Sequence, residues 1–291
     1  MKKILITGAG SFIGTSFENY LKKHYPADYT VDTVDMVDGT WQERSFSGYD
    51  SVFHVAGIAH SDSGRISPEK EALYYAVNTD LTVKTAEKAK TDGAKQFIFM
   101  SSAIVYGDSA PMGKSKVITA DTPVSPANCY GDSKVQAENG IRPLNDDAFK
   151  VVLLRPPMIY GKGSKGNYPL LAKLAKKMPV FPDVKNQRSM LYIENLCEFV
   201  RLMVENGEQG TFWPQNRVYS NTSQMVQMIA RVHGRQVRLI KGFGWALGLL
   251  SHVTPLVNKA FGSLSYAMEM SEYPIDYRKW DLRDSIRETE V

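Results

Sequence analysis

The chain has 291 residues, 43% of them apolar and 23% charged, with a formal net charge of +4, values ordinary for a soluble globular protein large enough to bury a sizeable core. No Lys/Arg block is long enough to form a nucleic-acid stripe, so the charge argues against DNA or RNA and for a small phosphate-bearing partner. The two cysteines, Cys129 and Cys197, are too few and too far apart for a metal site or a disulfide framework; no metal is expected, and a reducing cytoplasm suits the chain.

The start, "MKKILITGAG", is basic but reaches glycine too soon for a signal-peptide core, so it reads as a first strand. Short apolar runs then alternate with helix-like segments: a helix from Phe12, "YTVDTVD", "DSVFHVAG", a long helical segment from Pro68 to Lys90, "QFIFMSS", a helix through Tyr130, and "KVVLLRP". Continuously apolar strands separated by helices predict a parallel sheet covered on both faces, a doubly wound Rossmann-like α/β architecture. The helix through Tyr130 is expected to begin at Pro126 with Ser125 as its cap. After Arg155 a series of prolines breaks this rhythm. We therefore expect a nucleotide-binding domain over 1–156. Residues 157–291 should form mainly a smaller substrate-binding domain, with some segments returning to the sheet. The apolar run from Gly242, "GFGWALGLLSHVTPLVNKAFGSL", is interrupted by Ser251, His252, Pro255 and Lys259. No membrane span is expected there; the run reads as core or lid packing, with a membrane-touching surface as the alternative.

The loop "TGAGSFIG" lies between the first strand and the first helix, the context a dinucleotide fingerprint requires. Gly8 suits the tight turn, the backbone at Gly10 and Ser11 can approach a pyrophosphate, and Gly14 lets helix and strand pack closely. The helix opening at Phe12 and Ile13 adds free N–H groups and a partial positive charge. Asp35 ends the second strand, where an acid accepts hydrogen bonds from a ribose diol and repels a 2′-phosphate. The expected cofactor is NAD(H), with NADP(H) retained as the alternative; Asp32 is a rival for the acidic role, and Asp38 reads as a turn residue.

"FIFMSSAIVYG" runs off a strand and leaves Ser101 and Ser102 at the carboxyl end of the sheet, where open α/β proteins bind ligands. Tyr130 and Lys134, in "NCYGDSK", are four apart and share a helix face. A free phenol titrates near 10 and is a poor acid at neutral pH. A lysine ammonium one turn away stabilises its ionised form. Ser102 to orient an oxygen, Tyr130 to exchange its proton and Lys134 to tune the phenol form a hydride-transfer centre.

These segments, with Asn78 in "VNTDLT" and "LRPPMIYGKG", resemble the extended short-chain dehydrogenase/reductase family of nucleotide-sugar epimerases, dehydratases and reductases. The resemblance implies catalytic Ser102, Tyr130 and Lys134, with Val55, Ala56, Asn78 and Pro157 lining the cofactor. It also implies a UDP-sugar partner: Asn167 on a phosphate, Val180 and Phe181 flanking a uracil, and Arg188 paired with the diphosphate. A homodimer formed through the Tyr130 helix is a further implication. Met158 stands where UDP-galactose 4-epimerases carry an Asn. "LRPPMIYG", "NQRSMLYIENL" and "FGSLSY" are similar to capsule and exopolysaccharide reductases that act on UDP-2-acetamido-2,6-dideoxyhexos-4-ulose. A 4-ketoreductase is thus expected; a UDP-hexose 4-epimerase and a non-catalytic NAD sensor are the alternatives.

Overall fold

A computed structural model describes residues 1–58, 66–242 and 260–291, so most of the apolar run from Gly242 lies outside the described residues. These residues divide into two compact units, the first made of Met1–Gly107, Pro123–Pro156 and Leu196–Pro214, the second of Asp108–Thr122, Pro157–Asn195 and Gln215–Val291. Among the described residues no helix is long and apolar enough to cross a membrane.

The first unit is built on a sheet of six strands: β1 (Lys2–Thr7), β2 (Tyr29–Val34), β3 (Ser51–His54), β4 (Gln96–Met100), β5 (Lys150–Leu154) and β6 (Gly210–Phe212). Their order is β6-β5-β4-β3-β1-β2, and every neighbouring pair is parallel. The central strands are buried along their whole length, which is why they read as unbroken apolar runs instead of alternating ones. On one face Leu5, Val52, Phe97 and Val151 pack with small residues of the covering helices, among them Ala86 and Ala137. On the other, Phe17 of helix α1 (Phe12–His24) meets Phe53 edge-on, with ring centroids 5.2 Å apart. From β1 the chain adds β2 on one side and β3 on the other. That reversal opens a crevice at the carboxyl ends of β1 and β3, where ligands of such sheets sit.

The segment from Pro68 is one continuous helical rod in three parts, α2 (Pro68–Tyr74), a π-helical stretch (Tyr75–Asp80) and α3 (Leu81–Thr91). Ser67 caps it by accepting from the Lys70 N–H. Helix α4 (Cys129–Ile141) begins later than the sequence reading placed it: Asn128, not Ser125, is the cap, and Pro126 lies before the helix. The Gly131 N–H donates to Asn128 Oδ1 at 2.9 Å, and the Pro126 Cβ lies only 3.0 Å from the position a Gly131 Cβ would take. Tyr130 consequently sits in the first turn of α4. An Asn128→Ala variant should lose about 1 kcal/mol of stability, read as a lower urea midpoint with an unchanged m-value; an unchanged midpoint would show that the cap contributes nothing.

Among the described residues the second unit holds three short two-stranded pairings, Met158–Tyr160 with Met190–Tyr192, Val180–Pro182 with Arg238–Ile240, and Val117–Ile118 with Ser265–Tyr266. The last pairing, with the Ala110–Ser263 bridge, groups Asp108–Thr122 with this unit. Buried polar side chains link its pieces. Asn216 Nδ2 donates to the Tyr160 hydroxyl, and Asn216 Oδ1 accepts from the Tyr192 N–H and from Asn195 Nδ2.

Candidate active site

The glycine loop follows β1 with Gly8 at φ 90° and Gly10 at φ 72°, values L side chains rarely adopt. A Cβ on Gly8 would stand 3.0 Å from the Ala56 backbone, and one on Gly14 would stand 2.7 Å from Ser11 Oγ and 3.0 Å from Ile6. The ends of β1 and β3 therefore approach closely because no side chain separates them, and Val55 and Ala56 border the loop. Ser11 caps α1 by accepting from the Gly14 N–H at 3.2 Å, and Phe12 and Ile13 form its first turn. This narrow cradle at a helix N-terminus, bare of side chains, fits a pyrophosphate.

Asp35 immediately follows β2 and is exposed, its Oδ1 accepting from the Val37 N–H at 3.0 Å. Its rival Asp32 lies inside β2 and accepts a 2.7 Å bond from the Tyr49 hydroxyl, with Arg44 3.9 Å away. Asp38 accepts from the N–H and hydroxyl of Thr40, a local turn. Of the three, Asp35 is the one at the carboxyl end of a strand with a carboxylate open to solvent.

Ser102, just past β4, caps a short 3-10 turn by accepting from the Ile104 N–H. Burial pushes the Tyr130 phenol up to about 12, and the nearby Ser102 hydroxyl acts in the opposite direction. The Tyr130 ring packs against Tyr74 at 6.0 Å. Lys134 is only 5% exposed. Its ammonium donates to the Met100 carbonyl at 2.9 Å and lies 4.6 Å from the Phe99 ring centroid. Burial brings it down to about 8, opposed by the negative charge of Glu138.

Asn78 stands on the π-helical stretch, fully buried. It accepts from the Ile58 N–H at 2.8 Å and donates to the Ile58 carbonyl and to Ser133 Oγ. A Cβ on Gly57 would meet Asn78 Oδ1 at 3.0 Å and the Lys134 ammonium at 3.3 Å, so Gly57, Asn78 and Lys134 converge. Ser102, Tyr130, Lys134 and Asn78 are thus brought together in the first unit.

In the second unit, Pro157 is buried and Met158 half-buried in a strand. Asn167 is the exposed first residue of helix Asn167–Lys177, whose cap position belongs to Gly166. Val180 and Phe181 are consecutive in a strand and face opposite sides. Phe181 is buried against Phe261, ring centroids 5.8 Å apart, while Val180 is exposed. Arg188 bridges Ser220 and Leu264 through its backbone. Its guanidinium donates to the carbonyls of Ala260 and Gly262 at 3.4 Å, and burial lowers its affinity for a proton.

The sequence reading gave no role to His54, Glu138 or Arg155. His54 is fully buried between Thr7 and Thr82, with 2.7 and 3.1 Å contacts, and burial holds its pKa at about 3. The Thr82 hydroxyl donates to the Asn78 carbonyl, so it accepts from His54 Nε2–H, and Nδ1 accepts from Thr7. The one sequence signal for Glu138 was its place one turn after Lys134.

The sheet order, the glycine cradle and the Ser–Tyr–Lys cluster define the class of an extended short-chain dehydrogenase/reductase. The family model of the NAD dependent epimerase/dehydratase family matches residues 4–214, and the chain belongs to that family. It is 31% identical over 255 residues to a UDP-glucose 4-epimerase of Vibrio cholerae, covering 79% of this chain and 75% of the relative. An N-acetyl-alpha-D-glucosaminyl-diphospho-ditrans,octacis-undecaprenol 4-epimerase of Escherichia coli O157:H7 is 30% identical over 79% of this chain and 71% of its own. The fold matches the crystal structure of UDP-glucuronic acid 4-epimerase from Bacillus cereus in complex with NAD, with TM-score 0.71, 18% identity, and coverage of 98% and 96%.

Proposed function

We propose that the chain uses NADH to reduce the 4-keto group of a UDP-2-acetamido-2,6-dideoxyhexos-4-ulose, giving a UDP-N-acetyl-6-deoxyhexosamine for surface polysaccharide. The observation that carries the reading is Ser102 near the Tyr130 phenol, with Lys134 buried one turn on and fixed on the Met100 carbonyl. The nicotinamide, when bound, supplies the hydride. Ser102 orients the C4 oxygen, and Tyr130 gives it the proton that completes the alcohol. A phenol held near 12 is protonated throughout the neutral range, the state a donor needs. Lys134 acts on the phenol through its charge and bonds the nicotinamide ribose. In the second unit Asn167, Val180 and Arg188 are assigned to the nucleoside diphosphate.

Met158 favours the reductase. An apolar side chain at that position suits a C6 methyl better than a hydroxymethyl group. The second reading, a UDP-hexose 4-epimerase, is favoured by the two relatives that carry a 4-epimerase name. Incubation with NADH and UDP-4-keto-6-deoxy-N-acetylglucosamine separates the two. Stoichiometric loss of NADH absorbance with a 6-deoxy product in the NMR spectrum supports the reductase. An unchanged NADH pool, with equilibration of a UDP-hexose, assigns the epimerase instead.

Cofactor choice rests on Asp35. Asp35→Asn removes the charge that repels a 2′-phosphate and should improve NADPH affinity relative to NADH by about tenfold, on the order of 1 kcal/mol, in fluorescence titrations. An unchanged ratio would remove Asp35 from the ribose site.

A further inference from the structure

Two consecutive residues at the end of β4 are held by residues of α4: the Met100 carbonyl accepts from Lys134, and the Ser101 hydroxyl donates to Glu138 Oε1. The first link involves a catalytic side chain itself. The second rests on Glu138, a carboxylate 1% exposed.

A carboxylate this deeply buried needs compensation, and Arg155, just past β5, provides it. Arg155 Nε donates to Glu138 Oε1 at 3.0 Å and Nη2 to Oε2, a forked, charge-assisted contact. Its Nη1 donates to the Tyr106 hydroxyl at 2.7 Å, which also accepts from Trp213 Nε1 at 2.8 Å. Arg142 Nη2 stands 3.7 Å from Glu138 Oε2. Tyr106 closes the 3-10 turn that Ser102 opens, so the network grips that turn at both ends.

We propose that Glu138 and Arg155 are positioning residues of the Ser102–Tyr130–Lys134 centre: Glu138 fixes the β4 end through Ser101 and supplies the negative charge that keeps Lys134 protonated in its buried seat, while Arg155 holds Glu138 there. The inference rests on the functional reading above, in which Lys134 acts as an ammonium. Among the described residues the groups facing Lys134 are few. On α4 they are Glu138 and Tyr130. From β3 comes His54, neutral between its two threonines, and from β4 only the Met100 carbonyl and the Phe99 ring. Asn78 and Tyr74, from the rod packed on α4, carry no charge at neutral pH. Among the described residues Glu138 is therefore the anion placed to set the Lys134 charge.

The test is the pH dependence of NADH binding, followed by fluorescence, which needs neither turnover nor a known sugar. In the wild type, affinity should fall as pH rises through the Lys134 titration. Glu138→Gln removes the favourable charge, so the midpoint of that fall should move to lower pH by about one unit or more. Ser101→Ala keeps the carboxylate, so the midpoint should stay. The double variant Glu138→Gln/Arg155→Met leaves no unpaired buried charge, protecting the fold, and should move the midpoint in the same direction as Glu138→Gln. Glu138→Asp retains the charge and should restore most of the wild-type midpoint. A folded Glu138→Gln or double variant with the wild-type midpoint would overturn the proposal and leave the site reading intact. A wild type that does not bind NADH, or binds it without an alkaline fall, would overturn both.

Discussion

Tyr130→Phe should lower turnover by about 10²- to 10⁴-fold, the range general acid catalysis supplies, and leave NADH affinity nearly unchanged. The ring keeps its place against Tyr74, so the variant removes one hydroxyl and little packing. That hydroxyl is desolvated, and its loss should not weaken the fold. The Ser102 hydroxyl keeps its local contact with the Ile104 N–H, so the 3-10 turn should persist. The measurements are steady-state turnover of the ketone and a fluorescence titration with NADH. Turnover within tenfold of wild type would refute the role given to Tyr130; lost NADH binding would mean that the phenol is part of the cofactor site first.

Lys134→Met should cost at least about 10² in turnover and yet make the protein harder to melt at neutral pH. The ammonium is held at about 8 against an ordinary value of 10.5, so burying the charged form costs roughly 3 kcal/mol. Loss of its bond to the Met100 carbonyl returns about 1 kcal/mol, leaving a net gain of about 2 kcal/mol. The sign follows from proton linkage. Below the folded pKa both states carry the proton and the burial cost is felt in full. Between the folded and unfolded values the unfolded chain binds more protons, so wild-type stability rises with pH. The melting advantage of the methionine variant should thus be largest near pH 7 and shrink toward pH 10. An advantage that does not change with pH would mean that Lys134 does not titrate in that window. Raised stability with lost turnover is the signature of a residue kept for chemistry against the interest of folding.

The centre of this site was readable from residue order because its parts are local. Gly8 to Gly14 punctuate one strand–helix junction, and Tyr130 and Lys134 share one helix face. The sheet was readable too, since parallel strands buried on both faces leave short apolar runs that alternate with helical segments. What escaped depended on partners distant in sequence or on competition between neighbours. Ser125 and Pro126 carry good start signals, yet Asn128 reaches the Gly131 N–H and wins the cap. Glu138 looks like a solvated helix residue until Arg155 and Ser101, from two different strand ends, are brought to it. Phe181 could not be oriented within a strand of three residues, because the side that faces inward is decided by Phe261.

The π-helical stretch Tyr75–Asp80 also bears on how this chain tolerates insertions and deletions. A π turn holds one residue more than the α turn it replaces. Excising a single residue there would make the rod a regular α-helix with its two ends in the same rotational phase, whereas the same excision from a regular α-helix turns one end by about 100°. What would be reset is the stretch itself, from which Tyr75 holds its 2.9 Å bond to Asp132 and Asn78 reaches Ile58 and Ser133. A deletion of one codon would here spare the packing of the rod's two ends and dislodge Asn78 from the wall of the reaction centre.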